Sequence, residues 1–160
     1  MSPAGKYLAT MIAPILREGG YKKKGATWRR ETNDAVAVVN LQMSPYAGIL
    51  YYLNLGIYVK ALGSIAQPLE YQCPFRIRVE ALMNDRQRAL AVFDLSNQSI
   101  TQAERDKELK LAVLTLALPF LQSCATVKGL NDVLIKNPKL RHCADKNLLD
   151  HLGIPNTRDW

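Results

Sequence analysis

The apolar positions of the chain change period twice. From residue 7 to residue 16 they fall at helical spacing, as Leu8, Met11, Ile12, Ile15 and Leu16. Ser2-Pro3 ahead of them is a helix start, with Ser as the cap and Pro at the first helical position. Gly19-Gly20 stops the run. Pro14 falls inside it and removes a backbone donor, which predicts a kink. From residue 21 to residue 60 the period becomes two. Strands are predicted over 21–30, 35–44 and 51–60, with "ETND" and "SPYAG" as the turns. Ala35, Ala37, Val39, Leu41 and Met43 share one face of the second strand. Tyr51, Leu53, Leu55, Ile57 and Val59 share one face of the third. Short turns between neighbours imply an antiparallel meander.

Residues 61–74 form a longer loop ending in Cys73-Pro74. "FRIRVEAL" then sets Phe75, Ile77 and Val79 against Arg76, Arg78 and Glu80, a fourth strand with a short helix as the alternative. "RALAVFDL" reads as the fifth strand. In the last third, Thr101 and Glu104 form a capping box. The helix behind it is expected to reach about Leu118 and to break at Pro119. Further helices are expected over 127–136, stopped by Asn137-Pro138, and over 145–152, ended by Gly153. This order gives an α+β fold in one domain over residues 1–160: a five-stranded antiparallel meander sheet, with the N-terminal helix and the C-terminal helices packed on one face.

The other sheet face is unusual. It carries Val36, Val38, Asn40, Gln42 and Ser44 on one strand and Tyr52, Asn54, Gly56 and Tyr58 on the next, with no charge before Lys60. A solvated sheet face is the plain alternative, but such a face commonly carries Lys, Glu and Thr. Gly56 in mid-strand implies that something approaches closely. Arg76 and Arg78, two apart on a strand, add two guanidiniums to one face, suited to carboxylate or phosphate unless a local acid such as Glu80 takes them.

Charge changes the picture at one place. The 160 residues carry a net charge of +7, and residues 1–60 hold 8 Lys/Arg against 3 Asp/Glu. Much of that excess lies in "GYKKKGATWRR", residues 20–30. Tyr21 and Trp28 differ in parity and would face opposite sides of a regular strand. A bulge at Gly25 would bring both to the core, turn Lys22, Lys24 and Arg29 outward and leave Lys23 to snorkel. A positive field of this kind favours an acidic partner.

Other chemistry is sparse. Cys73, Cys124 and Cys143 are odd in number and far apart, which favours reduced thiols in a cytoplasmic setting. Residues 35–59 are uncharged, but their alternation fits two strands better than a membrane span. The apolar run after Lys6 lacks the small-residue cleavage site of a signal peptide. No zinc-ligand spacing, Gly-rich phosphate loop or nucleophile elbow is present, so neither cofactor nor metal is expected. A dyad of His142 with Cys73 or Cys124 is disfavoured, because lone cysteines are most often small buried hydrophobes.

"LREGGYKKKGATWRR", "VVNLQMS", "YLNLGIYV", "CPFRIRVEAL" and "LALPFL" occur in that order. Together they resemble the bacterial domain-of-unknown-function family 4304 over roughly residues 5–135. The chain departs from the family in having Tyr21 for the usual Phe, and "AVFDL" where paired tryptophans are typical. By position the resemblance singles out Lys24, Gly25, Gln42, Ser44, Asn54, Gly56, Arg76 and Arg78. It implies no assigned activity. Some small α+β domains of this kind resemble immunity proteins, an analogy only. The leading expectation is therefore a non-enzymatic, cytoplasmic protein-binding module, of immunity type, that neutralises a bacterial toxin. It would meet an acidic partner surface through Lys22, Lys24, Arg29, Asn40, Gln42, Ser44, Tyr52, Asn54, Tyr58, Arg76 and Arg78. The alternatives are a binder of nucleic acid or an anionic ligand through Lys22, Lys23, Lys24, Arg29 and Arg30, and, least favoured, a small enzyme using Cys73 or the arginine pair.

Overall fold

The structure is a computed structural model that describes residues 1–46 and 49–156. Helix α1 (Pro3–Glu18) begins where expected: the Ser2 hydroxyl accepts the Gly5 N–H at 3.1 Å. It runs through Pro14 as one helix and leaves through Gly20 at φ +89°. Leu8, Ile12 and Leu16 are fully buried along one stripe.

Residues 21–31 do not make one bulged strand. They fold as a hairpin, β1 (Lys22–Lys24) and β2 (Thr27–Glu31), in register Lys22 with Arg29, Lys23 with Trp28 and Lys24 with Thr27. Gly25 is the reason. It takes φ +63° at the first of two loop positions, and Ala26 follows with negative φ, as a two-residue hairpin of type II′ requires. Tyr21 and Trp28 do both reach the core, 4% and 1% exposed, because the chain reverses between them.

Strands β3 (Ala35–Met43) and β4 (Tyr51–Val59) pair along their whole length, from Ala35 with Val59 to Met43 with Tyr51. The "SPYAG" turn between them includes Ala47 and Gly48, which lie outside the described residues. β5 (Phe75–Arg78) closes the sheet and passes into a 3-10 turn over Val79–Leu82, so both readings of this stretch hold in part. The strand order is β1-β2-β3-β4-β5, antiparallel throughout.

The expected fifth strand is a helix, α2 (Arg86–Phe93). Asp85 caps it, accepting the Arg88 N–H at 3.0 Å, and Ala89, Val92 and Phe93 are buried at helical spacing. Over so short a run, alternation and helical spacing coincide. The sheet keeps five strands because the first predicted strand is two.

The chain also does not break at Pro119. α3 (Gln102–Leu111), capped by Thr101 and Glu104 as expected, continues through a π-helical stretch, Ala112–Ala117, into α4 (Leu118–Cys124). Pro119 has no N–H for the Thr115 carbonyl. The wider turn ahead of it, with the Leu118 N–H on the Val113 carbonyl, absorbs that break in the ladder. α5 (Val127–Lys136) and α6 (Lys146–Leu152) follow; Asp145 caps α6 and Gly153 ends it at φ +67°.

All the helices contribute to one core on the face of Trp28, Ala37, Val39, Leu53, Leu55 and Ile77. Arg105 is buried there at 4% exposure. Its guanidinium donates to the carbonyls of Val92, Asp94 and Asn97, at 3.3, 2.9 and 2.7 Å, and so pins the loop between α2 and α3.

Candidate functional site

The registers fix what stands side by side on the sheet face away from the helices. Lys24, Thr27, Asn40, Asn54 and Arg78 form one row across all five strands. At the ordinary strand spacing it spans about 19 Å. Its interior is a chain of amides. The Asn40 amide donates to the Thr27 hydroxyl at 3.1 Å and to the Ala26 carbonyl at 3.3 Å. The Asn54 amide donates to Gln42 Oε1 at 2.9 Å and to Asn40 Oδ1 at 3.4 Å. Asn54 is buried by its neighbours, and Gln42 is exposed. At the far end the Arg78 guanidinium lies 3.7 Å from the centroid of the Tyr52 ring, a stacked cation–π pair. Arg78 makes no ion pair among the described residues. At the near end Lys24 is exposed and reaches Gln67 at 3.3 Å.

The next row, Lys22, Arg29, Val38, Gly56 and Arg76, is different. Residues 60–74 fold back over it. Arg29 Nε donates to the Pro68 carbonyl at 2.7 Å, and Arg76 Nε pairs with Glu70 at 2.9 Å. The close approach that Gly56 signalled is real, but the chain itself supplies it: a Cβ at Gly56 would lie 2.8 Å from Cys73 Sγ. Val36, Val38, Tyr58 and Cys73 form a second, small core under the loop.

Three expected contact residues are therefore corrected. Asn54 is 4% exposed, and its amide is spent on Gln42 and Asn40 within the sheet. Tyr58 is 5% exposed, and its hydroxyl accepts the Ile65 N–H at 3.0 Å; it anchors the loop from beneath. Ser44 is 4% exposed, lies just past the end of β3, and uses its hydroxyl to accept the Tyr46 N–H at 3.2 Å in the turn. Arg29 and Arg76 are committed to the loop and its acid. Lys22, Lys24, Asn40, Gln42, Tyr52 and Arg78 remain as one open polar surface, with Asn54 buried beneath it. Sequence reasoning missed the exposed apolar residues of this loop, Ile65, Leu69 and Tyr71. The signal was available in a long loop rich in apolar residues.

The cations of the hairpin divide between the two faces. Lys22 and Lys24 point to the open surface, whereas Lys23 stands opposite Trp28 on the helix side, its Nζ 5.5 Å from the ring centroid. Lys22–Lys24 is also the whole of one of the sheet's two edge strands, and lysines there discourage pairing with another chain. Between hairpin and loop lies a cleft of about 730 Å³ that all five of its cations border, with Glu31 as the acid.

The thiols are poorly suited to nucleophilic work. Burial pushes Cys73 and Cys124 up to about 12 and raises Cys143. Among the described residues no group of three or more His, Cys, Asp or Glu is placed to hold a metal ion, and no single helix is long and apolar enough to cross a membrane.

Residues 12–123 match the family described as Domain of unknown function (DUF4304). The chain belongs to that family. No curated protein and no solved structure matches it. Of the positions singled out by resemblance to the family, Gly25 makes the hairpin turn and Gly56 admits the loop. Gln42 and Arg78 stand on the open surface, with Asn54 buried beneath it and Lys24 at its end.

Proposed function

We propose that the protein is a non-enzymatic binding module that takes an acidic surface of a protein partner onto the open part of its outer sheet face. One observation carries this reading: a row of side chains about 19 Å long has a cation at each end, amides between, an aromatic ring under Arg78 and no carboxylate. Amides held by one another are preorganised, so little side-chain entropy is lost when a partner docks. The end cations steer and orient an acidic surface more than they add raw affinity. In its finer form the reading is an immunity-type protein that neutralises a bacterial toxin in the cytoplasm.

The test pairs capture with protection. The wild-type chain and a Lys24→Glu/Arg78→Glu variant, both folded by circular dichroism, are used to capture partners from the native host. The expected result is an acidic protein retained by the wild type and lost with the variant, whose toxicity on expression is suppressed only by the wild-type chain. Identical captures from both would overturn the assignment of the surface. A captured protein without toxicity would overturn only the immunity reading.

The cleft of five cations favours a second reading, a binder of nucleic acid or another polyanion. It predicts affinity for single-stranded DNA or RNA that falls steeply with salt. Undetectable binding at low salt would exclude it. Arg29 already holds the loop, which leaves fewer cations free for phosphates.

A further inference from the structure

On the helix-covered side of the sheet, a groove of about 900 Å³ runs between α1 and the edge hairpin. Its floor is apolar and built from small or pliant side chains, among them Ala9, Ala13, Leu41 and Met43. Met43 is 52% exposed there, an adaptable thioether at the groove mouth. Three cations border it, Lys6, Arg17 and Lys23, and no acidic residue does.

The spacing of those cations selects the occupant. Lys6 and Arg17 are eleven residues apart on α1, which puts them about 20° apart around the helix and about 16 Å apart along it. Lys23 stands across the groove on the hairpin. Cations rooted so far apart border the groove along its length rather than at one point. They match negative charges distributed along an elongated ligand whose opposite side is apolar. Ala9 and Ala13, one turn apart between the two cations, leave room for another helix to come close.

We propose that this groove docks an amphipathic acidic helix of a partner protein, apolar face down and carboxylates toward Lys6, Arg17 and Lys23. The site is separate from the open sheet face and does not depend on that surface being used.

The probe is a fluorescein-labelled peptide of roughly 16 residues, with leucines on one helical face and glutamates flanking them, read by anisotropy at low salt. It is expected to bind at one site and to shift the amide NMR signals of Ala9, Ala13 and Leu41. The Lys6→Glu/Arg17→Glu variant should weaken it by at least about tenfold, as should Thr10→Trp, which fills the groove from an exposed position. Lys22→Glu/Lys24→Glu, on the other face, should change it by less than about threefold. Equal losses in both charge-reversed variants would reduce the effect to net charge and overturn the proposal. So would equal affinity for a scrambled peptide of the same composition, or displacement of the peptide by stoichiometric oleate, which would give the groove to an anionic amphiphile.

Discussion

The two parts of the outer sheet face share β3 and β4 and have opposite fates. In one, Val36, Val38, Gly56 and Tyr58 lie under residues 60–74 as a second core. In the other, Asn40, Gln42, Tyr52 and Arg78 stay open above the buried Asn54, tied together by amide hydrogen bonds and a stacked guanidinium. The boundary falls where β3 changes its outward residues from valine to amide. Alternation reports which face a residue occupies. Only the chemistry of each row reports whether that face is covered.

The largest test of this contrast replaces one tyrosine in each part. Tyr58→Ala removes a buried ring and the acceptor of the Ile65 N–H, and should cost about 3 kcal/mol. Tyr52→Ala takes away a half-buried ring and the support of Arg78, at about 1 kcal/mol. Urea unfolding with unchanged m-values would show the difference. Equal losses would mean that the loop is not a cover but a loose appendage.

Gly56→Ala addresses the same cover more finely. The added methyl meets Cys73 Sγ at 2.8 Å and Cys73 Cβ at 3.0 Å, so the loop must shift, at about 1–3 kcal/mol. Cys73→Ala in the same chain removes the nearer atom. The double variant should recover about 1 kcal/mol relative to the sum of the single changes. Strict additivity would show that the loop does not press on β4 at this point.

Asn54→Asp probes the open part. The change removes the amide that serves Gln42 Oε1 and Asn40 Oδ1 and sets a carboxylate against both oxygens. A loss of about 2 kcal/mol is expected, partly offset by Arg78 on the neighbouring strand. A neutral outcome by thermal unfolding would show that the amide row is not preorganised, and the basis for proposing a binding surface there would go with it.

Much of this architecture was legible in the chain. The helix start at Ser2-Pro3, the pairing of the two long strands, the capping box at Thr101 and the strand-born arginine pair all follow from local chemistry. What misled was compensation between neighbours. Gly25 allows a bulge or a hairpin, and only the pairing of Lys23 with Trp28 decides between them. "RALAVFDL" satisfies two periods at once, and Asp85 as a cap settles the choice. Pro119 would end an α-helix but sits just past a π-helical turn that lets the chain continue. For the site, the polar face was visible and its cover was not, because residues 60–74 reach it through contacts far apart in sequence, such as Arg29 with Pro68. Gly56 carried the right message with the wrong author: the close neighbour is Cys73.

The smallest expected effect concerns whether Arg78 is a free cation. Glu80 follows it just beyond the strand, with Oε2 buried and without a hydrogen-bond partner. Burial raises its pKa, and a hydrogen bond from its own backbone, with Arg78 and Arg86 after it, pulls it back only in part. A carboxyl with a folded pKa above its unfolded value holds its proton more tightly in the folded state. Its contribution to stability is whole below the unfolded pKa and is lost as pH rises through the folded one. Glu80→Gln removes the charge that must otherwise form in a buried place. The variant should therefore melt higher than the wild type at pH 7, by roughly 2 °C, and no higher at about pH 4. Arg78→Ala should push Glu80 further up and move the wild-type loss of stability to higher pH. If Glu80→Gln instead lowered the melting temperature at pH 7, the carboxylate would be held ionised by Arg78. The open row would then end in a neutralised pair, and only Lys24 would be left to draw an acidic partner.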